Sequence, residues 1–166
     1  MTAAAEIAVR MGEIAVSKTA GDVLVSLGLG SCIGLALVDP RRRIAGLAHI
    51  MLPEAIAGGG PIGKFADLAV PELIARVTAL GASKPMLKAV LVGGAQMFSL
   101  GGSGALDIGA RNDEAVRDLL RKERIPVVAA ETGGSRGRTI RVIPGGAVLS
   151  KEAGGAEIVL MQGVRA

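Results

Sequence analysis

Seven short runs rich in Val, Ile and Leu recur along this chain, at residues 22–27, 32–38, 44–51, 88–92, 127–130, 139–143 and 157–161. Each is closed by Gly, Pro, Asp or Ser, residues that favour turns or interrupt a ladder, so the runs read as strands. Residues 7–10 and 13–16 are expected to add a short pair around Met11-Gly12. Two stretches instead carry the helical period. Over 67–80, Leu68, Leu73, Ile74, Val77 and Leu80 fall near one face, with Pro71 near the start and Gly81 as a stop. Over 113–124, Asn112 is the expected cap, Asp113 and Glu114 suit the positive end, and Val116, Leu119 and Leu120 form the stripe. Alternation of strand and helix is clear only in the middle of the chain. The expectation is therefore an α/β domain over residues 1–166, with a sandwich-like mixed β core and flanking helices rather than a doubly wound sheet.

Half of the 166 residues are apolar, yet there is no Trp or Tyr and the only aromatics are Phe65 and Phe98. The core must be aliphatic, and no aromatic platform exists on which nucleic-acid bases could stack. The net charge of +4 is not gathered into one tract. Its densest clusters, Arg41–Arg43 and residues 136–141, are expected to be a solvated turn and a solvated strand edge, or a mild attraction for an acidic partner. No nucleic-acid partner is expected. The single cysteine rules out an internal disulfide and metal sites built on several thiolates, and one histidine leaves few metal-ligating nitrogens. No run of about 18 uncharged apolar residues predicts membrane insertion. The N-terminus does not read as a signal peptide, and a lone thiol suits a reducing cytoplasm.

The chemistry-bearing segment is Leu27-Gly-Leu-Gly-Ser-Cys32. It puts the only thiol at the mouth of an apolar strand, beside main-chain N–H groups of Gly30 and Ser31 that a glycine turn can aim at an oxyanion. A free cysteine is more often a small buried hydrophobe, and a lone histidine a satisfied core residue. The turn Asp39-Pro-Arg-Arg-Arg43 predicts a hairpin between 32–38 and 44–51. With a two-residue loop at Pro40-Arg41, residue 39 pairs with 42 and Cys32 faces His49; another turn type shifts this by a residue or two. A thiol–imidazole pair is what acyl transfer requires, since the imidazole takes the thiol proton and later protonates a departing amine. Ser26, six positions before Cys32, offers a hydroxyl to orient the base. Residues 57–63 and 97–111 read as Gly-rich loops, of which 57–63 and 97–109 are expected to border the cleft, with Phe98 either a core plug or a contact for a helical partner.

Leu27–Cys32, Asp39-Pro40 and Ala48-His-Ile-Met-Leu-Pro53 together resemble the CheD family of chemoreceptor glutamine deamidases. The resemblance continues through Gly12–Val16, Lys64–Asp67, Gly93-Gly-Ala95 with Met97-Phe98, Ile108-Gly-Ala-Arg-Asn112, and Glu131–Gly134 with Arg136. It extends from about Gly12 to Ser150. It implies a Cys-His-Thr type of triad carried by Cys32, His49 and, at the threonine position, Ser26, which keeps the hydroxyl but loses the β-methyl that restricts its rotamer. It also implies a fold similar to the catalytic domain of deamidating toxins. The implied reaction converts glutamines on receptor cytoplasmic helices to glutamate through a cysteine thioester, without metal or cofactor and with receptor methyl-ester hydrolysis as a side activity. A CheC-type phosphatase is the implied regulatory partner, and the alternative is an adaptor that binds receptors and stimulates that phosphatase with little turnover.

Overall fold

The computed structural model describes residues 4–55, 59–97 and 107–164. Within them the chain runs β1 (Glu6–Ala8), β2 (Ile14–Ser17), β3 (Val23–Leu29), β4 (Ile33–Asp39), β5 (Ile44–Ile50), α1 (Ala66–Ala79), β6 (Lys88–Gly93), α2 (Ile108–Lys122), β7 (Val127–Thr132), β8 (Arg138–Val142), β9 (Val148–Glu152) and β10 (Glu157–Met161). The strands form two five-stranded sheets, ordered β1-β3-β8-β9-β10 and β2-β5-β4-β6-β7. Both are mixed: β1 with β3 and β6 with β7 are parallel, and the other neighbours are antiparallel.

The α/β sandwich expected from the sequence is the architecture observed. One aliphatic layer lies between the sheets, where Ala36, Val38, Ala45, Leu47, Val90 and Val92 meet Leu24, Leu29, Ile140 and Val142. A second layer covers the other face of the β4–β5–β6 sheet, where Leu35, Leu37, Ala48 and Ile50 pack against Leu73 and Val77 of α1 and Val116 and Leu120 of α2. With both faces covered, every residue of β4 and β5 is buried. This explains why these strands read as continuous apolar runs rather than as alternating ones.

Four expectations need correction. The β4–β5 turn is wider than two residues. Asp39 pairs with Ile44, and Pro40–Arg43 form the turn, with Arg43 at φ 55°. Asp39 shapes it: one carboxylate oxygen accepts the Arg42 N–H at 3.3 Å and the other accepts the Ser83 N–H at 2.9 Å. The pairing slides by two residues, so His49 lies opposite Gly34 and not opposite Cys32. Second, α2 starts at Ile108, where Asp107 caps it by accepting the Ala110 N–H at 2.9 Å. Asn112 is inside the helix, and the expected loop at 97–111 ends accordingly earlier. Third, β1 and β2 do not pair with each other; they join different sheets. Fourth, β9 was not expected as a strand, because Ser150, Lys151 and Glu152 interrupt its apolar character.

Candidate active site

The chain leaves one sheet at Leu29 and joins the other at Ile33, so residues 30–32 form the crossover between the two layers. Its carbonyls are tied down one after another. Gly30 O accepts the Ala95 N–H at 2.8 Å, Ser31 O accepts from Asn112 Nδ2 at 2.9 Å, and Cys32 O accepts the Gly94 N–H at 2.8 Å. In a planar trans peptide, the N–H points opposite to the C=O of the preceding residue. Anchoring the Gly30 and Ser31 carbonyls therefore turns the Ser31 and Cys32 N–H groups away from Ala95 and Asn112. The anchor itself depends on glycine. Gly93 has φ 115°, and a Cβ at that position would overlap the Cys32 carbonyl oxygen. Arg138 holds the same turn from behind, donating through Nη1 to the carbonyls of Gly133 at 2.8 Å and Gly93 at 3.3 Å. The arginine is buried, so this member of the 136–141 cluster is not the solvated strand edge expected.

His49 belongs to the odd-numbered residues of β5, which with Ala45 and Leu47 face the other sheet. Cys32 packs partly buried against the same intersheet layer. Side chains alternate along a strand, and Cys32 lies two positions before Gly34, the partner of His49. A slide of two residues conserves the face, so thiol and imidazole remain on one side of the sheet as diagonal rather than direct neighbours.

The His49 ring is oriented by the main chain. His49 Nδ1 lies 3.0 Å from the carbonyl oxygen of Val9. A carbonyl only accepts, so Nδ1 carries the proton and the lone pair of the neutral ring is on Nε2. Ser26, fully buried on β3, donates its hydroxyl to the same oxygen at 2.8 Å. Ser26 and His49 thus share an acceptor; the serine reaches the ring through Val9. The strap that brings Val9 into place is pinned at both ends. The Val9 N–H donates to Val25 O at 2.7 Å, and the Gly12 N–H donates to His49 O at 2.9 Å.

Burial dominates the protonation of both groups. It pushes the Cys32 thiol above its ordinary value. It pulls His49 below 6.5, against the opposing pull of the Val9 carbonyl and the Glu13 charge. Both shifts favour the uncharged forms, a thiol and a neutral imidazole, over a thiolate and an imidazolium.

Ser31 also borders a cavity of about 170 Å³ with Ala95, Gln96, Met97 and Asp107. Phe98 lies outside the described residues. Among the described residues no helix is long and apolar enough to cross a membrane. Two residues that touch the candidate site carry no functional signal in the sequence: Val9, whose carbonyl meets His49 and Ser26 and which no side-chain pattern marks, and Asn112, which holds the Ser31 carbonyl and reads in the sequence as a cap.

A family model described as CheD chemotactic sensory transduction matches residues 51–152. A protein of Symbiobacterium thermophilum called "Probable chemoreceptor glutamine deamidase CheD" is 46% identical over 155 residues, covering 90% of this chain and 94% of its own. Proteins of the same description from Geobacillus kaustophilus and Archaeoglobus fulgidus are 47% identical over 144 residues and 42% identical over 154. They cover 84% and 92% of this chain, and 87% and 97% of their own. The family-model match begins beyond His49. A continuous stretch covering 90% of the chain, by contrast, necessarily contains positions 32 and 49.

Proposed function

The chain belongs to the CheD family of chemotactic sensory transduction, and from that premise we propose that it is a chemoreceptor glutamine deamidase working in the cytoplasm. Cys32 Sγ attacks the side-chain amide carbon of a receptor glutamine while its proton passes to His49 Nε2. The N–H groups of Ser31 and Cys32, at the Gly30-Ser31 crossover, receive the developing oxyanion. The C–N bond breaks as His49 returns the proton to the leaving nitrogen; ammonia departs and a thioester remains. His49 then takes a proton from water, the hydroxide adds to the thioester carbon, and collapse returns the proton to Sγ with glutamate as product. A receptor glutamyl methyl ester enters the same cycle, with methanol leaving.

The observation that carries this reading is the shared carbonyl of Val9. It fixes the His49 tautomer with Nε2 free to accept a proton, on the sheet face where Cys32 packs. Ser26 supports the base through that oxygen. A protein substrate is favoured by three large apolar side chains that flank these segments and stay exposed: Met11, Leu27 and Met97. The protonated resting thiol favours a second reading, an adaptor with little turnover that works through receptors and a CheC-type phosphatase. The experiment is mass spectrometry of a receptor cytoplasmic fragment incubated with wild-type protein or Cys32→Ala. Conversion of glutamines to glutamates by wild type alone supports the deamidase. Receptor binding without conversion supports the adaptor.

A further inference from the structure

Asn112 is fully buried in α2, five residues into the helix, where neither capping nor solubility requires an amide. Its Nδ2 donates at 2.9 Å to Ser31 O and at 2.9 Å to Met51 O. Both partners are carbonyls, so the atom facing them must be the NH₂ group. One bond ends on the residue before Cys32, the other on the residue two after His49. A single amide therefore ties the nucleophile's segment to the base's strand. Its Oδ1 is buried with no hydrogen-bond partner among the described residues. An orphaned acceptor is costly, and it points to a use for the two donors that outweighs it.

The seat of the helix adds an independent contact, to the turn that anchors the Cys32 segment. Gly109 lies one turn before Asn112 on the same helix face. A Cβ at Gly109 would come within 2.5 Å of the carbonyl oxygens of Gly94 and Ala95. That turn supplies the N–H groups that hold Cys32 O and Gly30 O. The start of α2 thus touches the crossover through the amide of Asn112 and, by close backbone approach at Gly109, the turn that holds the crossover.

We propose that Asn112 is a positioning residue: by holding the Ser31 carbonyl it turns the Cys32 N–H toward the reacting carbonyl oxygen, and by holding Met51 it sets the spacing of Cys32 and His49. The inference rests on Cys32 being the nucleophile. The test compares two reactions of Cys32 in the whole protein. Alkylation by iodoacetamide develops no oxyanion. Acylation by p-nitrophenyl acetate, followed by intact mass, passes through one. Asn112→Leu keeps the branched shape and removes both donors. It is expected to lower acylation by about 10²-fold, the scale of one lost oxyanion donor, while alkylation stays within about two-fold. Receptor deamidation should lose kcat by a similar factor with little change in KM. Asn112→Asp keeps the shape more closely and donates at most one bond, when protonated; its acylation-to-alkylation ratio should fall further as pH rises. A ratio unchanged in both variants overturns the proposal, as does a parallel fall in both reactions. If wild type leaves receptor glutamines untouched but the ratio still falls, the positioning role is supported and the deamidase reading fails.

Discussion

Replacing Ser26 by Ala separates two ways in which a hydroxyl can support a base. Here Ser26 Oγ–H and His49 Nδ1–H both donate to Val9 O, at 2.8 and 3.0 Å. Removing the hydroxyl leaves the ring its acceptor and orphans no carbonyl. What is lost is one buried neutral hydrogen bond, about 0.5–1.5 kcal/mol of stability. If about 1 kcal/mol of it appeared entirely in the barrier, turnover would fall roughly five-fold. Losing the base itself costs on the order of 10²–10⁴-fold. The direction of the His49 pKa is the sharper readout. A carbonyl relieved of one donor accepts more strongly from Nδ1–H, most of all when the ring is charged, so the pKa of His49 should rise from its depressed position. Had the serine accepted from the ring directly, its removal would take away a stabiliser of the imidazolium, and the pKa would fall further. This is the only histidine in the chain, so its imidazole signals in a proton NMR titration need no assignment, and a urea melt gives the stability. A fall in pKa, or a loss of kcat/KM as large as that of His49→Ala, would refute the shared-acceptor reasoning.

Ser26→Thr restores a β-methyl that narrows the hydroxyl's rotamers; activity should be kept or raised in the same assay. Gly93→Ala forces a side chain into a φ of 115° and against the Cys32 carbonyl; a loss on the order of 3 kcal/mol is expected in a denaturant melt, with activity falling alongside. The pH profile of kcat/KM should show an acid limb below 6.5, because burial lowers His49, and an alkaline limb above 9.0, because burial raises Cys32. Iodoacetamide alkylation should be slow at neutrality and keep rising with pH through the thiol's raised pKa. The sign for stability follows the same shift: the contribution of His49 is present above 6.5 and is lost as pH falls through its lowered folded value.

The sandwich was legible because strand length, turn residues and an aliphatic core all point the same way, and because residues 33–39 and 44–50 are apolar throughout. That Cys32 and His49 belong to one face of the sheet was legible for a reason stronger than the register expected from the turn. The turn at Pro40–Arg43 is two residues longer than expected, yet a slide of two preserves the face on which both side chains lie. A slide of one would have sent one of them toward the helices. Ser26 was found as a hydroxyl, but its partner was not, since a main-chain carbonyl such as that of Val9 leaves no mark in the residue pattern. Asn112 was misread because an asparagine before Asp113 and Glu114 satisfies the local rules for a cap, while Asp107 does so five residues earlier. Arg138 was misread for a similar reason. A cationic cluster looks solvated in sequence, and only the sheet reveals that one of its members is turned inward to hold two carbonyls.

The central claim is that receptor glutamine carbon becomes covalently bound to Cys32. Partitioning with hydroxylamine tests it most directly. A receptor fragment is incubated with the protein in the presence of hydroxylamine, and its glutamine sites are read by mass spectrometry. A thioester intermediate predicts glutamyl hydroxamate at the same positions that become glutamate in its absence, with both products abolished by Cys32→Ala. Glutamate without hydroxamate, or either product formed by the Cys32→Ala protein, would contradict the account.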